Sequence, residues 1–185
     1  MTLLLLVSII WIFSEVILSL RMKSKNHRHK YDKSSLKILW ITIALSITFG
    51  ILLSHSNFAL SHYNTDLILY AGIFLICLGL IIRWISILKL KKSFTVDVSI
   101  SEDQKIIQSG LYKYIRHPAY SGSLLSFLGL AIVFNNWFTL FIIFIPILIS
   151  FLNRIQVEEK VLSQAFGSQY TDYIKRSWRL IPKVF

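Results

Sequence analysis

Five long apolar runs, at about residues 2–20, 36–53, 67–88, 119–134 and 137–152, constrain the fold of this chain more than any other feature. The first three have about the length of roughly 20 residues that crosses a hydrocarbon core as a helix. A soluble domain carries about a quarter charged residues. This 185-residue chain carries 16%, and its mean hydropathy is +0.62. We therefore predict an all-α polytopic membrane protein with about five transmembrane helices.

The basic residues indicate how these helices are oriented. Apart from Arg83, every lysine and arginine lies in residues 21–37, 89–118 or 154–185, and the alternate loops at 54–66 and 135–136 have none. Basic loops stay in the cytoplasm. This pattern predicts an outside N-terminus and a cytoplasmic C-terminus. It also explains the formal charge of +11 by membrane orientation and contact with anionic lipids, which argues against nucleic-acid binding.

Charged residues within the apolar runs need partners. Glu15 lies in the first run, which we interpret as a retained span because basic residues follow it and none precede it. An intramembrane carboxylate normally faces the bundle interior and has a partner there. Arg83 lies near the end of the third run, where an arginine can extend to the interface. Cys77 is the single cysteine, and no CxxC or HxxxH pair is present, so no metal site is predicted.

Two polar clusters flank the last apolar hairpin. The first is Gly110-x-Tyr112-x-x-x-Arg116-His117-Pro118-x-Tyr120-x-Gly122, and the second is Arg154 with Glu158 and Glu159. A two-residue tip, Asn135-Asn136, joins the intervening runs. Because so short a connection makes two helices antiparallel neighbours, we expect the two clusters to meet and form an active site on the cytoplasmic face.

Prolines and glycine predict local features of this half of the chain. Pro118 suits the first turn of a helix, and Pro146 should kink the fifth span. Apolar residues at helical spacing in 155–176 predict an amphipathic interfacial helix, interrupted at Gly167. Residues 94–100 alternate weakly and could be extended.

The two clusters resemble the isoprenylcysteine carboxyl methyltransferase (ICMT) family and its relatives, the membrane phospholipid methyltransferases. Besides the residues quoted above, the matching positions are Phe166-Gly167-x-x-Tyr170-x-x-Tyr173 and Leu180-Ile181-Pro182. The resemblance covers about residues 67–185. It implies two parts: N-terminal transmembrane helices 1 and 2 in residues 1–66, and a methyltransferase core in 67–185 with a cofactor-binding loop at 89–118.

The resemblance implies an S-adenosylmethionine-dependent methyltransferase whose pocket is not a Rossmann fold, and the chain indeed lacks GxGxxG. Arg154 and Glu158 would be the catalytic residues, with Glu158 on the donor's amino acid part and Arg154 on the acceptor's carboxylate or phosphate. The acceptor would be lipidic, and carboxyl O-methylation of an isoprenylcysteine-like substrate is favoured. By similarity, the cofactor-binding residues would be Gln104, Lys105, Ile106, Ile107, Tyr112, His117, Pro118, Ala119, Tyr120, Glu158 and Glu159.

Three alternatives stay open at this point. One is N-methylation of a phospholipid amine. Another is an NADPH-dependent reductase, since membrane sterol reductases have a similar Arg-His-Pro-x-Tyr segment; the Glu158-Glu159 pair and the small size favour methyl transfer instead. The third is a non-enzymatic scaffold or transporter, which the lack of internal repeats disfavours.

Overall fold

Helices make up nearly all of the regular structure in the computed structural model, which describes residues 2–21, 34–54, 65–91, 94 and 105–185. Within these residues there is no extended strand, and an isolated bridge joins Ile115 to Trp178. The all-α prediction is confirmed. The helices are α1 (Thr2–Arg21), α2 (Ser35–Ser54), α3 (Thr65–Leu90), α4 (Pro118–Val133), α5 (Trp137–Phe166) and α6 (Ser168–Arg176), with a 3-10 turn at Gly110–Lys113 before α4.

Four of these helices, α1, α2, α3 and α5, are long and apolar enough to cross a membrane, and α4 is apolar but shorter, at 16 residues. Four parts of the sequence discussed above lie outside the described residues: 22–33 of the first basic segment, 55–64 of the first alternate loop, 95–100 of the weakly alternating stretch, and Gln104.

Helix α5 corrects one prediction. The fifth span was expected to end near residue 152 and a separate amphipathic helix to begin at Ile155, but α5 continues from Trp137 through Pro146 to Phe166 without interruption. The physical reason is that no glycine or proline follows Pro146 before Gly167. At about 1.5 Å per residue, 30 residues span roughly 45 Å, which exceeds a hydrocarbon core of roughly 30 Å. Gly167, with φ +53°, ends the helix and allows α6 to turn away.

Helices α3 and α4 pack with their backbones in contact. A Cβ atom at Gly122 would lie 2.5 Å from the carbonyl oxygen of Gly79, and one at Gly129 would lie 2.5 Å from that of Gly72. Only glycine permits such an approach. Two glycine pairs, seven residues apart on each helix, therefore fix the start of α4, with its polar cluster, against the end of α3.

The core lies between α5 and the remaining helices. Ile143, Ile147, Phe151 and Ile155 recur every fourth residue of α5 and are almost wholly buried. Helix α2 packs along α5 on one side, and α4 packs on another. Many large apolar side chains on α1, α2 and α3 are instead exposed, which is the surface that lipid would cover.

An ion pair joins α1 to α3 inside the bundle. Arg83 Nε and Nη2 donate to the two carboxylate oxygens of Glu15 at 2.6 and 2.8 Å, and Arg83 Nη1 donates to Ser123 Oγ at 2.8 Å. The prediction that Glu15 has an interior partner is confirmed. Arg83, whose position near the end of the third run would also allow an extension to the interface, instead directs its fork at Glu15 and is tied to α4.

This ion pair should show strong energetic coupling. Glu15→Gln leaves Arg83 unpaired, and Arg83→Gln leaves Glu15 unpaired, so we expect each variant to lose about 2 kcal/mol of stability in detergent. The double variant has no unpaired charge and should lose less than the sum of the two. Thermal unfolding of the four proteins measures the coupling; additive losses would contradict the interpretation.

Candidate functional site

The hairpin of α4 and α5 brings the two polar clusters together, as predicted. Tyr120, in the first turn of α4, donates its hydroxyl proton to Glu158 Oε2 at 2.7 Å, and Arg154 Nε donates to the same hydroxyl oxygen at 3.1 Å. We refer to Arg154, Tyr120 and Glu158 as the Arg–Tyr–Glu chain. It connects a cation to a carboxylate through one hydroxyl, so that the two charges lie on either side of Tyr120.

Helix α2 contributes to this chain. Arg154 is 3% exposed, and its Nη1 donates to Ser35 Oγ, at the first residue of α2, at 3.1 Å. A buried guanidinium needs hydrogen-bond acceptors to offset its loss of hydration. Sequence reasoning missed Ser35, because a serine at a helix start is ordinarily read as a cap and carries no sign of a partner 119 residues away.

The neighbouring carboxylate, Glu159, has a different environment. Its Oε1 accepts from Arg116 Nε at 2.9 Å and lies 3.3 Å from His117 Nε2, and its Oε2 accepts from Arg179 Nε and Nη2 at 3.0 and 2.7 Å. We call these four residues the Glu159 cluster. Within the described residues, Glu158 receives a hydrogen bond from Tyr120 alone. The Glu159 side chain is therefore saturated by protein groups, whereas Glu158 retains an oxygen for a ligand.

The C-terminal segment closes onto the start of α4 through backbone pairing. Arg116 N donates to Trp178 O at 2.7 Å, His117 N to Arg179 O at 3.1 Å, and Trp178 N to Tyr114 O at 2.8 Å. Arg116 Nη1 also donates to the carbonyls of Ile174 and Ser177. These bonds hold the Arg116-His117 segment in one conformation. Apart from the matching motifs at both ends, no feature of the sequence indicated this pairing.

Tyrosines support the segment before α4. Tyr112 is buried, and its hydroxyl donates to Ser86 O on α3 at 3.4 Å. Tyr173, on α6, donates to Tyr112 O at 2.6 Å. Burial raises the pKa of Tyr112, and burial raises the pKa of Tyr173 to about 12. Both hydroxyls therefore keep their protons and act as donors over the physiological range.

A mainly apolar cavity of about 330 Å³ lies beside Tyr112, between the end of α3 and the 3-10 turn. None of the residues of the Arg–Tyr–Glu chain lines it. Its lining consists of Ile85, Ser86, Leu88, Lys89, Gly110, Leu111 and Tyr112.

The remaining predicted site residues fall into two groups. His117, Pro118 and Ala119 are buried at the start of α4, directly before Tyr120. Lys105 is exposed, and Ile106 and Ile107 are half-buried in irregular structure. No described hydrogen bond joins this second group to the Arg–Tyr–Glu chain. Their predicted backbone contacts to a cofactor stay predictions.

Comparison with known proteins identifies the family of this chain. The family model described as phospholipid methyltransferase matches residues 67–169, which is more than half of the chain and includes both polar clusters. The chain belongs to the phospholipid methyltransferase family. The resemblance inferred from the sequence is thereby confirmed.

Curated members of the phospholipid methyltransferase family that resemble the chain include two proteins of Arabidopsis thaliana. Protein-S-isoprenylcysteine O-methyltransferase A is 31% identical over 157 residues, which are 74% of this chain and 80% of the relative. Protein-S-isoprenylcysteine O-methyltransferase B is 34% identical over 107 residues, or 57% of this chain and 54% of the relative. The chain thus spans about half the length of B.

A solved structure also resembles this member of the phospholipid methyltransferase family. It is that of the eukaryotic intramembrane Ras methyltransferase ICMT (isoprenylcysteine carboxyl methyltransferase), with a TM-score of 0.58 and 25% sequence identity. The alignment covers 86% of this chain and 54% of the solved one. The helical arrangement described above is therefore shared with an integral membrane enzyme.

Proposed function

We propose that this protein is an S-adenosylmethionine-dependent methyltransferase that methylates the carboxylate of a prenylated-cysteine type of acceptor at the cytoplasmic surface of a membrane. The observation that carries the proposal is the Arg–Tyr–Glu chain, which places one cation and one carboxylate around a shared hydroxyl. The names of the relatives and the family membership support methyl transfer rather than reduction.

Glu158 is the donor-side residue. Its carboxylate has a single protein donor among the described residues, Tyr120, which leaves acceptor capacity for an ammonium group. The methionine part of S-adenosylmethionine carries such an ammonium beside a carboxylate, and the residues present fit it. This cofactor supplies a methyl group activated by a positively charged sulfur. Tyr120 orients Glu158, and Glu159 stays engaged with the cations of its own cluster.

Arg154 is the acceptor-side residue. A guanidinium offers parallel N–H donors that match a carboxylate, and burial to 3% exposure strengthens that attraction. Arg154 can hold an acceptor carboxylate, which is itself the nucleophile, whereas with a phospholipid amine it could hold only the neighbouring phosphate and not the reacting nitrogen. This is the reason for preferring carboxyl O-methylation to phospholipid N-methylation.

The chemistry demands little acid–base catalysis. A carboxylate is already ionised at neutral pH and is itself the nucleophile for an in-line displacement. The contribution of the protein is then to hold donor and acceptor at reacting distance and to exclude water. Arg154 positions the nucleophile and Glu158 positions the donor, while Tyr120 fixes the separation between them.

The position in the membrane supports the same proposal. The basic segments 21–37, 89–118 and 154–185 flank the ends of α1, α2, α3, α4 and α5 where the clusters lie. By the distribution of basic residues this is the cytoplasmic side. A water-soluble donor can reach it from the cytoplasm, and a prenyl chain can approach from the bilayer.

The proposal is tested by methyl transfer with purified protein in detergent. We expect methyl-labelled S-adenosylmethionine to label N-acetyl-farnesylcysteine, and the label to be released by mild base as a methyl ester is. Labelling of phosphatidylethanolamine instead would move the assignment to N-methylation. Binding of NADPH without binding of S-adenosylmethionine would overturn methyl transfer altogether.

Arg154→Lys should separate acceptor recognition from donor binding. Lysine keeps the charge but loses the planar fork, so we expect the KM for the farnesylcysteine acceptor to rise about tenfold, which is roughly 1.4 kcal/mol. Binding of S-adenosylhomocysteine, measured by calorimetry, should change little. A matched control is Arg176→Lys on the exposed face of α6, which should alter neither quantity. An unchanged KM in Arg154→Lys would contradict the acceptor-side role.

A further inference from the structure

Tyr170 stands out among the buried polar groups of this structure. It lies on α6 with 2% of its surface exposed, and its hydroxyl has no hydrogen-bond partner among the described residues. Buried hydroxyls are nearly always satisfied, because an unsatisfied one has given up its hydrogen bonds to water. The exception calls for an explanation.

The neighbours of Tyr170 place it at the candidate site. Its ring packs against that of Tyr173, with centroids 6.0 Å apart. Burial raises the pKa of Tyr170, and the nearby carboxylates of Glu159 and Glu158 raise it further, while Arg116 opposes them. The hydroxyl therefore keeps its proton at neutral pH, and both carboxylates are near enough to affect its pKa.

Other tyrosines of the site differ from Tyr170 in this respect. The hydroxyl of Tyr120 donates to Glu158, that of Tyr112 to Ser86 O, and that of Tyr173 to Tyr112 O. Each has an identifiable structural task. Tyr170 is buried at least as deeply and packs against Tyr173, yet its hydroxyl makes no such contact with any described residue.

Tyr170 is not needed as a hydrogen-bond donor to Glu159. The oxygens of Glu159 already receive hydrogen bonds from two arginines and lie beside His117. Glu158, in contrast, keeps an oxygen without a described protein donor. The Tyr170 hydroxyl could therefore donate a hydrogen bond to an anionic or neutral acceptor group on a ligand that is held beside Glu158.

We propose that the Tyr170 hydroxyl donates a hydrogen bond to the carboxylate of the donor's amino acid end, while Glu158 binds the neighbouring ammonium. This inference rests on the proposed function. In an amino acid the ammonium and the carboxylate are attached to the same carbon atom. A carboxylate acceptor and a hydroxyl donor on the protein can therefore bind both groups at once. Tyr170 thus becomes a ligand-binding residue of α6, and α6 becomes part of the donor site.

Calorimetry on the full chain in detergent tests the proposal with two probes. S-adenosylhomocysteine carries the amino acid end, and methylthioadenosine lacks it. In Tyr170→Phe we expect the Kd for S-adenosylhomocysteine to rise about tenfold and the Kd for methylthioadenosine to stay as in the wild type. The matched control is Tyr114→Phe, an exposed tyrosine of the same region, which should bind both probes normally.

Thermal unfolding without ligand separates this role from a structural one. Removing an unpartnered buried hydroxyl should leave the Tm unchanged or raise it. A lower Tm in Tyr170→Phe, or equal weakening for both probes, would overturn the proposal. Absence of S-adenosylhomocysteine binding by the wild type would refute the proposed function, whereas wild-type binding that Tyr170→Phe retains in full would refute this inference alone.

Discussion

Glu158→Gln should weaken binding of S-adenosylhomocysteine about a hundredfold in calorimetry, with little effect on folding. A hundredfold change corresponds to about 2.7 kcal/mol, which is the range for a hydrogen bond between charged groups. Glutamine keeps an oxygen that can accept a hydrogen bond from the Tyr120 hydroxyl, so the contact that orients the side chain survives. What disappears is the negative charge opposite the ammonium of the donor.

The control for this variant is Asp172→Asn, which also removes one negative charge. Asp172 pairs with Lys175 at 3.1 Å on the exposed surface of α6, where a single ion pair contributes little. Equal weakening in both variants would indicate a general electrostatic effect and contradict a specific role for Glu158. Methylthioadenosine provides a second control, since its binding should not respond to either substitution.

The fold was predictable where a single physical constraint dominates. Runs of about 20 apolar residues have few alternatives to a membrane-spanning helix, and α1, α2 and α3 lie within two residues of their predicted bounds. Pro118 also opens α4 as expected. The juxtaposition of the polar clusters followed from a short hairpin connection between two such helices, and it required no knowledge of side-chain packing.

The end of α5 was not predictable in the same way. Hydropathy falls after Leu152, and a fall in hydropathy marks the end of a membrane span but not the end of a helix. Helix α5 runs on to Phe166 because charged residues such as Arg154 and Glu158 are good helix formers. In many transmembrane helices the membrane span and the helix end at the same residue, but in α5 the helix continues beyond the span.

Long-range partners were the other omission. Glu15 was expected to have an interior partner, but nothing in sequence spacing identifies Arg83, which is 68 residues away. The same holds for Arg179, whose guanidinium completes the Glu159 cluster, and for Ser35 at Arg154. Such contacts depend on how helices are arranged around one another, and that arrangement is a property of the whole bundle.

The sequence did not reveal that the two adjacent carboxylates have different partners. Glu158 and Glu159 looked like one motif in the sequence, and both were predicted to bind cofactor. On a helix, consecutive side chains point about 100° apart. Glu158 therefore faces Tyr120 while Glu159 faces Arg116 and Arg179. Their assignments as cofactor-binding residues stay predictions, and the geometry favours Glu158.

Glu159→Ala should be the most destabilising of the substitutions considered, with a loss of about 3–5 kcal/mol in thermal unfolding. The Glu159 side chain is 9% exposed and pairs with Arg116, whose side chain is 8% exposed. Removing one member of a buried ion pair leaves the other charge without compensation. We expect the C-terminal segment to lose its contact with α4, seen as faster hydrogen exchange in residues 168–185.

Comparison of Glu159→Ala with Glu158→Gln and Glu159→Gln makes this expectation specific. Glu159→Gln keeps an acceptor for Arg116 and Arg179 and should lose about half as much stability as alanine. Glu158→Gln should lose binding while the Tm and the exchange of α6 stay normal. We therefore expect opposite phenotypes from the two neighbouring residues. Substitution of Glu158 should weaken ligand binding without changing stability, and substitution of Glu159 should first lower stability. Normal α6 exchange in Glu159→Ala would show that backbone pairing between Tyr114–His117 and Trp178–Arg179 holds the C-terminal segment without the cluster.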